Sequence, residues 1–529
     1  MPALTEPSST PYLNLSRRAL LVGLAKGSLG VGTTAVLGGL DAPAWAARSP
    51  QARAAPSSTP SLPQLAAVRS APKHGAQYAF RSRPDLKAPV ITIDKQASGL
   101  APGFIVTDSH AGPADQGPMI LDSNGDLVWF LDLSAGTNTA LRAFNVQVQA
   151  LGGQPVLTWF QGSVVEAHGE GYYEVWGPGY TQVAQVKAQN GYQGDLHDFV
   201  LTDKGTALFT CYGQASANLA KFGGKADGLY SYGVVQEVDI NTGKLVFEWR
   251  SDKHVPLAQS YLKLTSPAIA WDYFHLNSVG VDPSDGNLII SGRNTWAVYK
   301  LDRSSGKVIW QLGGKSGDFK LGPGANFAFQ HDVRRGADGS LSLFDNEGGP
   351  PNEASQSRGL FLSVDEAHRT ANLLHQYDHS PPVLTQALGS VQKLADGHVF
   401  IGWGESSYFT EYGANGEVVL DGRLAGDTEC YRTFKQVWAG QPTHEVPAMA
   451  VARGTAAATI YASYNGCTDV ASWLVLGGPA AGKLSPVGQA GRLGFETAIT
   501  VHAPPAYLAV EAISSTGKVL ARSVAQPAH

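Results

Sequence analysis

Cysteine is scarce in this chain, with three residues among 529. So few cysteines exclude a fold that depends on a disulfide framework, and the hydrophobic core must hold the molecule together instead. Cys211 falls inside a predicted strand, where a buried thiol is favoured over a catalytic one. Cys430 and Cys467 both lie in the last part of the chain, where the sequence leaves open one disulfide or two free thiols.

Charge is also sparse. Charged residues make up 16% of the chain, the net charge is −5, and there is no dense run of Lys or Arg. Nucleic acid and acidic surfaces are therefore not expected as partners, whereas small neutral or anionic ligands remain open. Long amphipathic helices are missing from the middle of the chain. Together with 61 glycines and 31 prolines, this predicts an all-β chain of more than one domain.

The N-terminus carries an export pattern. Arg17 and Arg18 precede a Gly- and Ala-rich apolar run that reaches about Leu40, and a small-x-small cleavage site follows at residues 44–46. Residues 1–46 are therefore predicted to be a twin-arginine-type signal peptide, with an ordinary secretion signal or an uncleaved anchor as the alternative. The mature chain is expected outside the cytoplasm, without stable membrane insertion. Residues 47–75, rich in Ser, Pro, Ala and Gln, are predicted to be a disordered linker.

The middle of the chain contains a repeated strand-turn-strand unit. Each copy has an apolar strand, a Gly-containing turn and a second apolar strand, and a second hairpin follows most copies. Asp-Gly, Thr-Gly, Ser-Gly and Asn-Gly pairs between the strands are typical of tight β-hairpins. Six copies begin near residues 117, 145, 197, 275, 331 and 389.

Four-stranded units at intervals of about 40 to 75 residues predict a β-propeller. The fold class expected is therefore all-β, with a six-bladed propeller over residues 76–440. A large β-sandwich or a solenoid of hairpins is the alternative. The repeat stops after Pro442, and shorter alternating strands over 441–525 predict a small β-sandwich domain with a structural or carbohydrate-contacting role.

Three histidines, His197, His275 and His331, begin three successive repeat units. A single histidine at a strand start is usually a surface residue or a hydrogen-bonded core residue, but three in register are harder to explain in that way. In a propeller, the ends of the innermost strands line a central funnel. The three imidazoles are therefore expected to lie near one another, although the unit around Asn145 offers no histidine.

Counting residues across the hairpins adds further side chains to this place. A turn at Ser284 and Asp285 sets Arg293 against His275, and a turn at Asp338 and Gly339 returns Asn346 to His331. Asn277 lies two residues after His275 and joins the same group. Several imidazoles, an amide and a guanidinium, without a nearby carboxylate pair, suit the transfer of an anionic tetrahedral group, either sulfuryl or phosphoryl.

Four stretches of this chain resemble the arylsulfotransferase family. They are FRSRPDLKAPVITI (80–93), GPMILDSNGDLVWF (117–130), the segment 271–314 and FAFQHDVRRGADGSLSLFDN (327–346). More narrowly, the chain is similar to the branch of that family with a C-terminal β-sandwich extension. The resemblance covers roughly residues 76–525. Its most specific part is the H-x-N sequence at His275, followed by Arg293 eighteen residues after that histidine.

The resemblance implies a six-bladed propeller that carries a transiently sulfurylated histidine. By order along the chain, His331 corresponds to that nucleophile, and His197, His275, Asn277 and Arg293 to the residues that assist it. It also implies an aryl sulfate donor, a phenolic acceptor and a ping-pong cycle, with no nucleotide sulfate and no other cofactor.

Two other classes of function remain open from the sequence. A metalloenzyme would place the three histidines around an ion on the axis, with Asp198, Asp332 or Glu347 nearby. A non-catalytic propeller would bind a ligand or glycan at the cell surface and would not need His331.

Overall fold

The computed structural model describes residues 62–134, 141–266, 269–348 and 354–528. The predicted signal peptide and residues 47–61 of the predicted linker lie outside the described residues. Within the described ranges, the regular structure is almost entirely β, with one four-residue α-helix, α1, and no helix long and apolar enough to span a membrane. The all-β prediction is therefore confirmed. Short helices lie at Ser251–His254 (α1) and, as 3₁₀ turns, at Ala220–Phe222, Leu257–Gln259, Arg293–Thr295 and Gly404–Ser406.

The predicted disordered linker is wrong for residues 62–75, because this segment is paired. The first strands are β1 (Ala67–Ser70), β2 (Lys73–His74), β3 (Gln77–Tyr78) and β4 (Ile91–Gln96). β1 pairs antiparallel with residues 496–499, and Leu65 and Ala67 pack against the C-terminal core. Composition could not reveal this pairing, since the partner strand lies more than 400 residues further along the chain.

Antiparallel four-stranded units follow, and units 2 to 6 are each a meander of consecutive strands. Unit 1 begins with β5 (Phe104–Ser109), β6 (Gly117–Leu121) and β7 (Leu127–Phe130). Unit 2 consists of β8 (Arg142–Leu151), β9 (Gln154–Val165), β10 (His168–Trp176) and β11 (Gln182–Val186). Unit 3 consists of β12 (Gly194–Leu201), β13 (Thr206–Ala217), β14 (Gly228–Asp239) and β15 (Leu245–Arg250).

The second half of the repeat region continues in the same way. A two-residue strand, β16 (Trp271–Asp272), precedes unit 4, which consists of β17 (Leu276–Val281), β18 (Leu288–Gly292), β19 (Ala297–Leu301) and β20 (Val308–Gly313). Unit 5 consists of β22 (His331–Arg335), β23 (Ser340–Asp345), β24 (Arg358–Asp365) and β25 (Thr370–Asp378), with β21 (Lys320–Leu321) paired to β25. Unit 6 consists of β26 (Ser390–Lys393), β27 (Val399–Gly402), β28 (Tyr408–Tyr412) and β29 (Val418–Leu424).

Strands from the two ends of the repeat region are exchanged between the first and last units. β30 (Phe434–Gln436) pairs with β5 and becomes the fourth strand of unit 1. β4, from before unit 1, pairs with β29 at the outer edge of unit 6. Both ends of the repeat region are therefore held by hydrogen bonds to the opposite end.

The C-terminal strands form two further sheets. They are β31 (Ala448–Arg453), β32 (Ala457–Ser463), β33 (Val470–Ala480), β34 (Lys483–Gly491), β35 (Glu496–His502), β36 (Tyr507–Ser514), β37 (Val519–Arg522) and β38 (Gln526–Pro527). One sheet has the order β1-β35-β32-β31, and the other the order β34-β33-β36-β37 with β38 on β36. In β36 every second residue is apolar and buried, at Leu508, Val510 and Ala512. This alternation directs one face of the sheet into a core shared with Ile460 and Trp473.

Charged and polar groups from several units meet at the buried Arg432, which precedes β30. The Arg432 guanidinium donates to Asp198 Oδ1 in unit 3 at 2.9 Å, to Asn145 Oδ1 in unit 2 at 3.2 Å and to the Asn277 carbonyl in unit 4 at 3.1 Å. Arg334 of unit 5 donates to both Asp198 oxygens, at 2.7 and 2.9 Å. The first strands of units 2 to 5 are thus tied together at one place.

Unit 6 joins the same place through a backbone group. Asp332 of unit 5 lies 3.0 Å from Arg334 and accepts the Val391 N–H of unit 6 at 3.0 Å. We call the group of Asn145, Asp198, Asp332, Arg334 and Arg432 the buried hub. The histidines predicted from the sequence stand next to it in the chain, since His197 precedes Asp198 and His331 precedes Asp332.

Candidate active site

The structure brings the three predicted histidines to the ends of their units. His197 lies on β12, His275 directly precedes β17, and His331 is the first residue of β22; all three are buried. The His197 and His275 ring centroids are 4.7 Å apart. The expectation that the imidazoles lie near one another is therefore confirmed for His197 and His275. His331 is linked to the segment of His275 through Asn277, which donates to the carbonyl of Gln330 at 2.7 Å.

The contacts predicted by counting across hairpins are also confirmed. The Arg293 N–H donates to the His275 carbonyl at 2.9 Å. His331 Nδ1 lies 2.7 Å from Asn346 Oδ1. Both contacts follow from the tight turns of the two hairpins, whose length fixes which residues face each other across the strands.

Asn346 determines which nitrogen of His331 carries the proton. Its Nδ2 donates to the carbonyls of Thr385 and Leu388, at 3.2 and 3.1 Å, so its Oδ1 must be the atom that faces His331. An amide oxygen only accepts, and His331 Nδ1 is therefore the protonated nitrogen. Nε2 keeps its lone pair and accepts the Leu388 N–H at 3.3 Å.

Electrostatics also keeps His331 neutral. Burial and, after it, the positive charge of Arg293 lower the pKa of His331 well below the usual range, with His275 and His197 acting in the same direction. A neutral imidazole with a lone pair on Nε2 is the form in which histidine acts as a nucleophile.

The other two predicted histidines each have a carboxylate partner. His197 Nδ1 lies 2.8 Å from Asp195 Oδ2, and His275 Nδ1 lies 2.5 Å from Asp272 Oδ2. The expectation of a site without nearby carboxylates is therefore wrong. The signal was in the sequence, because Asp195 lies two residues before His197 and Asp272 three residues before His275.

These pairs hold the two histidines in different surroundings. Burial lowers the pKa of His275 to about 4, against the opposing effect of Asp272, and His197 and Arg293 lower it further. Although burial alone would raise the pKa of Asp195, the positive charges of His197 and His168 bring it down to about 2. At neutral pH, His275 is uncharged and donates from Nδ1 to Asp272, so Nε2 is the ring atom that can exchange a proton.

A fourth histidine, His168, belongs to this group. It begins β10 in the unit around Asn145, so the expectation that this unit offers no histidine is wrong. Its Nε2 lies 3.1 Å from Asp272 Oδ2, the oxygen that also binds His275. Burial lowers the pKa of His168, but Asp272 outweighs that effect and the net shift is upward. His168 was missed because it lies on the third strand of its unit, where the repeat pattern marks no site residue.

Arg293 and Asn277 take different positions around His331. Arg293 is buried, donates to Asn294 Oδ1 at 2.9 Å and to the Gln386 carbonyl at 2.8 Å, and lies 4.9 Å from the Phe329 ring centroid. It acts electrostatically on both His275 and His331. Asn277 is fully buried and donates from Nδ2 at 2.7 Å to the carbonyl of Gln330, the residue before His331. It therefore supports the backbone that carries His331.

Aromatic rings and a fifth histidine surround the imidazoles. The rings of Tyr212 and Tyr431 each lie 6.0 Å from that of His197, and the partly exposed Tyr212 stacks on His168 at 3.7 Å. The His110 ring stacks on that of Phe144 at 4.3 Å, and its Nδ1 lies 2.8 Å from Asp108 Oδ2, which also accepts the Tyr431 N–H. Burial lowers the pKa of His110, but Asp108 and Glu429 raise it to about 9. His110 and Arg293 thus add positive charge among aromatic rings.

The carboxylates proposed for a metal centre are bound to arginines instead. Asp198 and Asp332 belong to the buried hub, and Glu347 lies 2.9 Å from Arg358. One other group of described side chains, His168, Asp272 and His275, has donor atoms within 4.8 Å of one another, close enough to hold a metal. In this structure the three are joined by hydrogen bonds through Asp272 Oδ2.

The cysteines take no part in this site. Cys211, Cys430 and Cys467 are all buried free thiols. The buried thiol predicted at Cys211 is confirmed, and Cys430 and Cys467 do not form a disulfide in this structure.

The sequence profile of the family described as arylsulfotransferase (ASST) matches residues 147–425, more than half of the 529-residue chain. The chain belongs to the arylsulfotransferase family. The matched region includes all five site residues predicted from the sequence. It ends before the two C-terminal sheets, so it does not show that the chain belongs to the branch with a C-terminal extension.

No functionally curated protein matches the chain. Among solved structures, a protein of unknown function from Bacteroides caccae is similar at 11% identity, with a TM-score of 0.38 over 63% of this chain and 98% of that one. A streptogramin B lyase is similar at 11% identity, with a TM-score of 0.32 over 65% of this chain and 90% of that one. A virginiamycin B lyase from Staphylococcus aureus is similar at 9% identity, with a TM-score of 0.29 over 69% of this chain and 97% of that one. Similarity at this level assigns neither a fold nor an activity.

Proposed function

We propose that this arylsulfotransferase moves a sulfuryl group from an aryl sulfate ester to a phenolic acceptor through a sulfohistidine at His331, without a nucleotide sulfate donor. Family membership supports sulfotransferase activity in general. The observation that carries the finer proposal is the contact between His331 Nδ1 and Asn346 Oδ1, because it leaves the lone pair on the buried Nε2 of a neutral imidazole.

In the first half-reaction, the Nε2 lone pair of His331 forms a bond to sulfur. The bond between sulfur and the aryl oxygen breaks, and its electron pair leaves with that oxygen as a phenolate. Arg293 offsets the negative charge on the sulfuryl oxygens during the transfer. The phenolate takes a proton from solvent, because His275 is uncharged at neutral pH. His331 must release the 3.3 Å hydrogen bond from the Leu388 N–H before it attacks.

The second half-reaction reverses these steps with another phenol. The acceptor hydroxyl gives its proton to Nε2 of His275 or His197, and its oxygen attacks sulfur. The bond between sulfur and Nε2 of His331 breaks and returns the electron pair to His331. The imidazolium then releases its proton to solvent, so over the whole cycle one proton passes from the acceptor to the oxygen of the leaving phenol, and the protein is unchanged. The carboxylates Asp195 and Asp272 stabilise the imidazolium that forms in this second step.

The surroundings of the imidazoles favour an aryl sulfate as substrate. Arg293 and the protonated His110 provide positive charge for a sulfate ester, and Asp272 raises the pKa of His168. Tyr212 and Tyr431 place aromatic rings beside His197, where an aryl group has surfaces on which to stack. The family supports small-molecule aryl sulfates and phenols as partners.

We propose further that the six units close into a six-bladed propeller over residues 76–440. Three observations support this closure. The first strands β8, β12, β17, β22 and β26 contact one another in turn, and β30 contacts both β26 and β8. The buried hub receives groups from units 2 to 6, and its Arg432 directly precedes the segment that enters β30 of unit 1. The exchange of β4 and β30 ties the first unit to the last.

We also propose that the residues 441–525, together with β1, form a separate β-sandwich domain, and that residues 1–46 direct export by the twin-arginine route. The shared core of the two C-terminal sheets supports the first proposal. The arginine pair and the apolar run in the sequence support the second.

Transfer can be distinguished from hydrolysis with p-nitrophenyl sulfate. We expect nitrophenolate release to rise with added phenol and to disappear in His331→Asn. His379→Asn is a matched control, because His379 is also a buried histidine bound to a carboxylate, Asp421 in β29, but it lies in the segment that joins β25 to β26 and takes part in none of the contacts described for the site. Equal release with and without phenol would contradict transfer, and full activity of His331→Asn would contradict the role of His331.

A further inference from the structure

We propose that His168 is a positioning residue for the transfer reaction, which holds Asp272 so that His275 keeps its proton on Nδ1 and presents Nε2 to the substrate. This inference rests on the proposed function. His168 lies outside the set of residues that the family motifs mark, and it reaches the site from the third strand of its unit.

The geometry centres on the two oxygens of Asp272. Oδ1 accepts the His275 backbone N–H at 3.0 Å, and Oδ2 binds His275 Nδ1 at 2.5 Å. His168 Nε2 binds the same Oδ2 at 3.1 Å. Since a carboxylate only accepts, both imidazole nitrogens that face Oδ2 carry protons. His275 therefore has its lone pair on Nε2, the tautomer that proton transfer from a phenol requires.

Asp272 has few other anchors for its side chain. It sits on β16, a strand of two residues that pairs parallel with β14 at the edge of unit 3. Its carboxylate is partly exposed, at 18%. The pairing of β16 fixes the Asp272 backbone but not its carboxylate, and the hydrogen bond from His168 helps to fix the position of Oδ2. Loss of that bond would let Asp272 rotate and His275 change its tautomer.

His168 is itself held firmly enough for this task. Its ring stacks on Tyr212 at 3.7 Å with an interplanar angle of 26°. The Tyr212 hydroxyl donates at 2.8 Å to the carbonyl of Leu276, the residue after His275. Units 2, 3 and 4 thus each contribute a side chain to one contact group, which links the position of His168 to that of His275.

Two amide variants test this arrangement with nearly equal polarity. The amide nitrogen of Gln superimposes on Nε2 of histidine, whereas that of Asn superimposes on Nδ1 and cannot reach Asp272. His168→Gln should therefore keep most of the activity. His168→Asn should lower kcat by about tenfold to a hundredfold, the range typical of residues that orient a reactive ligand, with KM for the aryl sulfate nearly unchanged. His379→Asn is again the matched control.

The loss in His168→Asn should be largest for acceptors whose phenols have a high pKa, because their attack on sulfur depends most on proton transfer to His275. A purely structural role for His168 would lower kcat to the same extent for every substrate and would affect Gln and Asn alike. Equal activity of wild type and His168→Asn with every phenol would overturn the proposal.

The tautomer of His275 gives a second readout that does not require turnover. Nitrogen-15 shifts of histidine-labelled protein, with His275 assigned from a His275→Gln variant, should report a proton on Nδ1 in the wild type and in His168→Gln. In His168→Asn the proton should be shared between Nδ1 and Nε2. An unchanged tautomer in His168→Asn would overturn the inference. If instead the wild type fails to transfer a sulfuryl group while these tautomers behave as expected, the proposed function fails and the positioning role stands.

Discussion

At the scale of single residues, the chemistry of this protein depends on which nitrogen of each imidazole carries a proton. Asn346 fixes the proton of His331 on Nδ1 because two carbonyls fix the orientation of the amide. Asp195 and Asp272 do the same for His197 and His275. In all three histidines Nε2 is therefore the ring nitrogen that is left to react. Only His331 has no carboxylate at Nδ1, and it is the one suited to be the nucleophile.

The pH dependence of turnover tests the neutrality of these bases. The pKa of His331 lies well below its usual range and that of His275 is about 4. A base whose pKa is lowered stays uncharged at lower pH, so kcat should persist as the pH falls from 7 to about 5. Asn346→Asp should raise the pKa of His331 and move the loss of activity to higher pH. Half-loss of wild-type activity near pH 6.5 would contradict this account.

Arg293 gives a second test at this scale. Arg293→Lys keeps one positive charge but loses the planar fork that holds two oxygens of a tetrahedral anion. We expect kcat to fall on the order of a hundredfold while the thermal unfolding midpoint changes little. Wild-type turnover in Arg293→Lys would instead assign Arg293 to the contact with Asn294 and Gln386.

Much of the site could be predicted from the sequence, because the contacts that build it are local. Short turns determine which residues face each other in a hairpin, so Arg293 was placed beside His275 and Asn346 beside His331. The carboxylates Asp195 and Asp272 could also have been predicted, because each aspartate lies just before its histidine in the sequence. His168 could not be predicted in this way, because its position depends on how far the hairpin of β9 and β10 extends beside the neighbouring unit.

At the scale of strands and units, the buried hub holds the first strands together. Arg432 and Asp198 are both fully buried, and Arg334 completes the pairing of Asp198. Burial raises the pKa of Asp198, but Arg334 and Arg432 outweigh that effect and hold it below the usual range. Asp198 is therefore charged at neutral pH, and this charge is balanced by its two arginines.

Loss of Arg432 should destabilise the protein strongly. Arg432→Met leaves buried carboxylate charge with one arginine partner fewer, which costs about 3 to 5 kcal/mol. Arg423→Met is the control, because Arg423 pairs with Asp94 on the surface and both side chains are more than a third exposed; it should cost less than about 1 kcal/mol. Denaturant unfolding of the two variants checks this, and similar midpoints would contradict the role of the hub.

Strand exchange marks the limit of prediction at this scale. The hairpins were readable because both strands lie close together in sequence. The pairing of β30 with β5 and of β1 with β35 joins segments that are more than 300 residues apart, and no local pattern specifies such partners. For the same reason, the predicted C-terminal boundary of the disordered linker is wrong. β1 lies within the predicted linker, and its strand partner is the distant β35.

At the scale of the whole molecule, the chain combines an N-terminal export pattern, the repeat region with its site, and two C-terminal sheets joined to β1. Glu496 of β35 links the last part to the rest, accepting hydrogen bonds from the Ser82 N–H at 2.6 Å and from the Ser82 hydroxyl at 2.7 Å. These contacts tie the two C-terminal sheets to the segment between β3 and β4.

Replacement of the arginine pair tests the export proposal. Because a receptor reads the two arginines, Arg17→Lys combined with Arg18→Lys should leave the precursor in the cytoplasm, as seen by fractionation and immunoblotting. Replacing only one of the two should have a weaker effect. Normal export of the double variant would indicate an ordinary secretion signal.

The most direct test of the account is the mass of the protein after reaction with an aryl sulfate in the absence of an acceptor. We predict the gain of one sulfuryl group at neutral or alkaline pH, mapped by peptide analysis to His331, lost on addition of a phenol and absent from His331→Asn. An adduct on His197 or His275, or turnover by His331→Asn, would contradict the assignment of the nucleophile.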